Sequence, residues 1–340
     1  VKRDHPIRSS GETEYDEECH LLSNIMPPAA VNGSYHVVGF EAIIDPRTAA
    51  HVHHFVVSAA MSCDARSRDM SVVWLWGPGM VGMTMPPEAG VRVMIGGFKA
   101  LHVQIHYDNP QLLEGLLDSS GFAFYYTSNL RTNDAGVLQI GDPNLMLIFQ
   151  PIKDTDGPGY SSMTVSNPAA ECTDKWAVEE VTVFDRALHM HKAGERMVTR
   201  QYSSDGQLLR TDSVDYYDFF QSGGFSPRST GSGFKIKRGD YFDVECFYYS
   251  KDDTDKIVRF GLASNEEMCI DFLYYYPLQK QGVCNPSLQS LRAPVALDSV
   301  GDLGRSFGSC TGGVARVRQR WDLSALALLG ALCLCFTLPV

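Results

Sequence analysis

Residues 35–44 read YHVVGFEAII, and residues 241–249 read YFDVECFYY. Both stretches are rich in β-branched and aromatic residues, which pack well on pleated sheets. Two further stretches of this kind lie at 197–202 and 208–214. Residues 203–206 (SSDG), between them, fit a hairpin turn. Many short strands with turns between them predict an all-β chain built from β-sandwiches. Further strands are predicted at 51–58, 91–95, 101–107, 121–126, 145–150, 181–190, 197–202, 208–214 and 269–276.

The stretch at 153–168 (KDTDGPGYSSMTVSNP) is rich in Gly, Pro and Ser, so we place a domain boundary within it. This predicts two sandwich domains at 1–155 and 156–290. A linker at 291–322 then leads to a hydrophobic tail at 323–340.

The composition excludes several classes of protein. The 340 residues are 44% hydrophobic and 20% charged, which argues against global disorder. The net charge of −11 argues against nucleic acid as a partner, because nucleic-acid-binding proteins normally carry a basic face.

The tail reads LSALALLGALCLCFTLPV and carries no charge. Its length is at the lower limit for a membrane span. Ser309, Cys310 and Thr311, followed by a spacer, instead fit a lipid-anchor attachment pattern, and we leave the two readings open. Either anchor predicts the secretory pathway, with an extracellular or lumenal protein that is membrane-attached or secreted. Nine cysteines and the glycosylation sequon at Asn32 agree with this location.

The ten histidines are unevenly placed, and three groups stand out. Residues two apart on a strand share a face, so His189 and His191 can offer two imidazoles to one ion. His53 and His54 are adjacent and would point apart on a regular strand. One metal could take both through a bulge or through different ring nitrogens.

Imidazole ligands suit zinc, copper, iron or nickel, and a methionine thioether would favour reduced copper. The competing interpretation is that these are packed or surface histidines, which are commoner than ligands. His102 shares a strand face with His106, and we interpret it as packing or as a support for a ligand.

Four strings occur in order along the chain: HHF at 53–55, QIHY at 104–107, LHMH at 188–191, and EEMC at 266–269 with YYP at 275–277. Their order and spacing resemble the copper type II, ascorbate-dependent monooxygenases. Dopamine β-hydroxylase and peptidylglycine α-hydroxylating monooxygenase belong to this family. The resemblance covers residues 14–284 and is closer to the dopamine β-hydroxylase-like branch.

The resemblance implies a copper monooxygenase with two jelly-roll-like antiparallel β-sandwich domains whose coppers face a solvent-filled cleft. The expected reaction inserts one oxygen atom of O2 into a substrate C–H bond, with electrons from ascorbate. Two coppers per chain are implied. The ligands would be His53, His54 and His106 for the electron-transfer copper, and His189, His191 and Met268 for the oxygen-binding copper.

Two positions depart from the family pattern. Ala187 stands where the peptide-amidating branch has Arg, and Phe272 stands where it has Tyr. Together with Ile270 they predict an apolar pocket for a small amine or an apolar or aromatic compound. A second hypothesis is a copper-binding cell-surface protein without turnover, and a third is a structural adhesin with incidental histidines. A homodimer is left open.

The resemblance also implies the disulfides Cys172–Cys284 and Cys246–Cys269. Cys19 either pairs with Cys63 or leaves both as free thiols. Three more cysteines lie outside the predicted domains, at positions 310, 333 and 335.

Overall fold

The computed structural model describes residues 4–10, 13–27, 32–65, 69–80, 82–148, 150–152, 159–219, 233–249, 258–263 and 265–286. Residues 1–296 form one compact unit. The second unit, residues 297–340, includes the predicted tail and lies outside the described residues. Within the described ranges, no helix combines the length and apolarity that a bilayer crossing requires.

In the part of the chain that the structure describes, nearly all regular secondary structure is strand, which confirms the all-β prediction. Among the described residues, one short α-helix, α1, spans Leu22–Ile25, and two 3₁₀ turns span Ala169–Glu171 and Thr173–Lys175. The strands are β1 (His5–Pro6), β2 (Thr13–Leu21), β3 (Ser34–Ile43), β4 (Val52–Ala60), β5 (Ser71–Trp76), β6 (Met83–Thr84), β7 (Ala89–Met94), β8 (Ala100–Asp108), β9 (Leu117–Asp118), β10 (Gly121–Thr127), β11 (Asn133–Asp134), β12 (Gly136–Gly141), β13 (Tyr160–Asn167), β14 (Glu180–His189), β15 (Gly194–Tyr202), β16 (Leu208–Val214), β17 (Phe234–Lys237), β18 (Tyr241–Tyr249) and β19 (Ile270–Tyr276).

Each half of the chain contains two larger sheets. The first half has the order β2-β8-β4-β5 and the order β10-β3-β7-β11, with β6 beside β3. A small sheet pairs β1 with β9. The second half has β12-β19-β14-β17 and β13-β18-β15-β16. Of these described pairings, β7–β11 is parallel and the others are antiparallel, as expected for sandwiches.

In the sheet β12-β19-β14-β17, the central strand β19 is buried on both faces. Leu273 and Tyr275 of β19 enter the core of the second half. Phe272 and Tyr274, which alternate with them, enter the core of the first half. The Tyr274 hydroxyl accepts a hydrogen bond from the Leu75 backbone N–H at 3.0 Å. One face of this sheet therefore packs against the first half of the chain, and that face positions the site.

The hairpin predicted at 203–206 is present. Gly206 has φ +88°, and its N–H donates to the Ser203 carbonyl at 2.8 Å. This left-handed conformation favours glycine, so the turn joins β15 and β16 without strain.

The strand predicted at 145–150 is wrong. The described residues of this stretch form turns, because the Asp142 carboxylate accepts the N–H groups of Met146 and Leu147 at 2.8 and 2.9 Å. An Asp side chain that binds following backbone amides offers the chain an alternative to a sheet ladder.

The stretch at 153–168, in which the domain boundary was placed, overlaps a strand. β13 alternates inward and outward residues, with Met163 and Val165 in the core, and it pairs with β18 along its whole length. The serines of this strand made its alternation of inward and outward residues hard to recognise in the sequence. β12 lies before the boundary placed at residue 155, yet it pairs with β19 of the second half.

The described residues include three disulfides. Cys172–Cys284 and Cys246–Cys269 are the pairs that the resemblance implies. Cys19 bonds Cys63 across 44 residues, so neither is a free thiol here.

Candidate metal centre

A β-bulge brings two adjacent histidines to one point. The β4–β8 register places Val52 opposite Tyr107 and His54 opposite His106, so His53 is the extra residue. Nδ1 of His54 lies 2.9 Å from Nδ1 of His53 and 3.3 Å from Nδ1 of His106. The bulge predicted as one of two ways to join the pair is present, and the rings meet through the same type of nitrogen.

Burial keeps this cluster neutral. Loss of hydration disfavours the charged imidazolium, which lowers the pKa of His53 to about 3 and that of His106 to about 2. Burial also lowers the pKa of His54 well below its usual value. Three neutral imidazoles with ligand atoms within 4.8 Å of one another can hold a metal ion without first losing protons.

The second pair of histidines lies at the end of β14. The rings of His189 and His191 are nearly perpendicular, with centroids 5.0 Å apart. Nδ1 of His191 donates to the Glu266 carbonyl at 3.0 Å, which leaves Nε2 with a lone pair. Within the described residues, this Nε2 is the one buried side-chain nitrogen or oxygen without a hydrogen-bond partner. A buried, bare imidazole nitrogen fits a metal ligand.

Met268 and Glu267 meet this pair from the loop before β19. Met268 is 7% exposed and lines the same cavity as His189. The buried Glu267 carboxylate accepts the backbone N–H groups of His191 at 2.8 Å and Ala193 at 2.6 Å. Burial raises the pKa of Glu267 to about 8, although these donors oppose the shift. Glu267 thus joins the loop before β19 to the loop after β14. Glu267 was not singled out from the sequence, although it lies in the quoted EEMC string.

The two histidine groups touch each other. The ring centroids of His54 and His189 are 5.3 Å apart, so ring contacts run from one group to the other. Tyr15 stacks on His106 at 4.4 Å, and its hydroxyl donates to the Leu262 carbonyl in the second half. These contacts bring the halves together at the histidines.

A cavity of about 230 Å³ lies beside the histidines. The β14–β19 register puts Ala187 opposite Phe272, and His189 opposite Ile270. All three predicted pocket residues line the cavity. Gln139 of β12 lies opposite Phe272 on its other side and adds an amide to an otherwise apolar row. No local sequence pattern points to Gln139, because its position in the cavity depends on strand pairing.

Other histidines do not join the centre. Nε2 of His102 lies 3.4 Å from the Cys19 sulfur and 3.1 Å from the Ser62 carbonyl, so His102 packs beside the first disulfide. Buried His36 contacts Asp134 at 2.9 Å.

Family models match both halves of the chain. The N-terminal domain of the copper type II ascorbate-dependent monooxygenases matches residues 10–114, and the C-terminal domain matches residues 133–292. Together these matches cover both histidine groups and Met268.

Curated relatives of this chain belong with the same kind of enzyme as the family models. Tyramine beta-hydroxylase of Caenorhabditis briggsae is 28% identical over 302 residues, which cover 82% of this chain and 48% of that protein. Dopamine beta-hydroxylase of Rattus norvegicus is 26% identical over 275 residues, or 75% of this chain and 43% of that one. DBH-like monooxygenase protein 1 of Mus musculus is 29% identical over 302 residues, which cover 82% of this chain and 46% of that protein. The chain thus spans about half the length of these relatives.

Proposed function

This chain belongs to the copper type II, ascorbate-dependent monooxygenase family, and we propose that it hydroxylates a C–H bond of a small organic substrate. O2 is the co-substrate and ascorbate the source of electrons. The observation that carries the proposal is the continuous chain of five imidazoles, from both halves, beside one apolar cavity.

We propose two coppers per chain. His53, His54 and His106 would hold the electron-transfer copper, and His189, His191 and Met268 the oxygen-binding copper. Bound copper supplies the one-electron and oxygen chemistry that side chains do not provide. The bare Nε2 of His191 and the three neutral imidazoles of the first group support this assignment. A thioether at Met268 favours Cu(I) over Cu(II).

The chain's own contribution is to exclude water and to orient the substrate. Ala187, Ile270 and Phe272 give the cavity an apolar wall next to His189. Pockets for drug-sized ligands measure about 300–1,000 Å³, so this cavity suits a smaller molecule. Two relatives are named for tyramine and dopamine, and we propose a small amine or an apolar or aromatic compound here.

Copper counting tests the assignment of ligands. The purified chain is expected to hold two coppers by elemental analysis, and the His106→Ala and His189→Ala variants one each. His102→Ala is the matched control, because His102 packs beside a disulfide, and it is expected to keep both. A wild-type chain with fewer than two coppers contradicts the two-site proposal. So does either variant that keeps its fold but loses both.

Oxygen uptake tests turnover. Ascorbate-dependent oxygen consumption is expected to rise with at least one member of a panel of small aromatic amines and apolar aromatic compounds, with hydroxylated product by mass spectrometry. Full copper occupancy without substrate-dependent uptake would favour the copper-binding surface protein without turnover.

We also propose a secretory location. Three disulfides favour an oxidising compartment, and Asn32 is exposed, as a glycosylation site requires. Membrane attachment through residues 323–340 and a homodimer remain part of the proposal. Peptide-N-glycosidase treatment of the secreted chain should lower its mass, and Asn32→Gln should abolish that change.

A further inference from the structure

Residues 217–219, which we name the strap, follow β16 and reach the centre of the site. The Tyr217 N–H donates to the Glu195 carbonyl at 2.6 Å, which turns the chain inward. Phe219 is 3% exposed, whereas Tyr216, just outside the strap, is 95% exposed. A segment from the edge of the outer sheet is therefore buried beside histidines of both halves.

Phe219 fixes His53 in two ways. The Phe219 carbonyl lies 3.1 Å from Nε2 of His53, and the two rings are stacked with centroids 3.6 Å apart. A carbonyl oxygen only accepts, so Nε2 carries the hydrogen. In the neutral ring Nδ1 is then bare, and this is the atom that faces His54.

Tyr217 holds both backbone polar groups of Met190, the residue between the other two histidines. Its hydroxyl donates to the Met190 carbonyl at 2.7 Å and accepts from the Met190 N–H at 3.3 Å. Met190 is fully buried, and His189 and His191 flank it. Holding the 189–190 and 190–191 peptide groups restrains the backbone from which both imidazoles project.

We propose that the strap positions the metal ligands of both groups at once, through Phe219 for His53 and through Tyr217 for His189 and His191. The inference rests on the proposed function, because it concerns residues that would hold copper. Partners that orient metal-binding histidines typically contribute ten- to a hundredfold in metal affinity. Residues that only fill the core would affect stability and leave metal affinity unchanged.

Two variants separate positioning from packing. Tyr217→Phe removes the hydroxyl and keeps the ring, and Tyr216→Phe is its control on the exposed neighbour. Phe219→Leu removes the stack and keeps the backbone carbonyl. Its control is Phe40→Leu, since Phe40 is a buried phenylalanine stacked on Trp74.

Copper affinity is then measured by competition with a chelator, one site at a time. In the His106→Ala background, Tyr217→Phe is expected to weaken the remaining copper ten- to a hundredfold. In the His189→Ala background, Phe219→Leu is expected to weaken the remaining copper similarly. The controls are expected to change affinity less than twofold. Folded strap variants that bind copper as tightly as their controls overturn the proposal.

A measurement on the metal-free chain tests the strap proposal separately from the proposed function. Nitrogen NMR of the metal-free chain is expected to show His53 with its hydrogen on Nε2. A hydrogen on Nδ1 overturns the strap even if copper binds. A wild-type chain that binds no copper instead overturns the proposed function, and the NMR result then decides the strap alone.

Discussion

Hydrogen bonds at single imidazole rings decide which nitrogen is available to a metal. His53 uses Nε2 for the Phe219 carbonyl, whereas His191 uses Nδ1 for the Glu266 carbonyl. The two rings therefore present opposite nitrogens, Nδ1 and Nε2. Both acceptors are backbone groups from distant segments, so side-chain identity at 219 and 266 does not reveal them.

Met268 gives the sharpest test at this scale. It is buried next to the Cys246–Cys269 disulfide, and Tyr248 donates to its carbonyl at 3.0 Å. Met268→Leu keeps volume and apolarity and is expected to cost less than about 1.5 kcal/mol of unfolding free energy. If the sulfur binds copper, X-ray absorption of the reduced protein loses its copper–sulfur scattering and hydroxylation collapses.

Met163→Leu is the control, because Met163 is equally buried in the core of the second half. A Met268→Leu protein with normal turnover and an unchanged absorption spectrum would identify Met268 as a core residue only.

Strand pairing, at the scale of elements, sets the composition of the pocket. The β14–β19 register places Ala187 and Phe272 side by side, 5% and 6% exposed. The same register places His189 opposite Ile270, two residues further along each strand and therefore on the same face. A shift of one residue would turn every one of these side chains to the opposite face of the sheet.

The Ala187–Phe272 pair predicts a change of specificity. The double variant Ala187→Arg with Phe272→Tyr is expected to bring affinity for ligands with a terminal carboxylate. A hydrogen bond to a charged group contributes about 1.5–3 kcal/mol. Calorimetry with glycine-extended peptides measures the gain, and Ala187→Gln with Phe272→Tyr is the uncharged control. Equal binding by wild type and by a folded double variant would contradict this map of the pocket.

At the scale of the whole molecule, the site depends on how the two halves meet. Lys192 follows His191 in the second half, and its ammonium lies 3.3 Å from the carboxylate of Asp108, two residues after His106. With the Tyr15 contact to Leu262, this ion pair links the strands that carry both histidine groups. Neither half alone contains the complete cavity.

The buried histidines predict how stability depends on pH in the metal-free protein. In the folded chain the pKa values of His53, His106 and His191 lie at about 3, 2 and 4. The unfolded chain takes up these protons near pH 6.5, so it binds more protons than the folded chain below that pH. The stability that the buried neutral histidines contribute is thus present above pH 6.5 and is lost as the pH falls toward 4. The slope is about 1.4 kcal/mol per pH unit for each proton.

Glu267 acts in the opposite direction. Its folded pKa of about 8 exceeds its ordinary value of 4.5, so the stability that it contributes is lost progressively as the pH rises from about 4.5 to about 8. Urea unfolding with a chelator present should therefore show greatest stability near pH 6.5. Glu267→Gln should remove the fall between about pH 6.5 and 8 and make the rise between pH 5 and 6.5 steeper, because the proton held by Glu267 opposes the histidine effect there. A flat profile between pH 6.5 and 5 would contradict the burial of the histidines.

The sequence by itself determined the fold class and the identity of the candidate ligands. Stretches rich in β-branched and aromatic residues, such as 35–44 and 241–249, favour strands, because these side chains pack well on a pleated sheet. The strings around His53, His106, His189 and Met268 likewise carry the family resemblance without reference to tertiary contacts.

Only the tertiary structure decided which of these residues meet. The bulge at His53 depends on pairing with β8, Gln139 enters the pocket through β19, and the strand at 160–167 is defined by pairing with β18. The contact between His54 and His189 joins residues 135 positions apart. Such contacts arise from non-local hydrogen bonds and packing between distant segments, which a local sequence pattern does not encode.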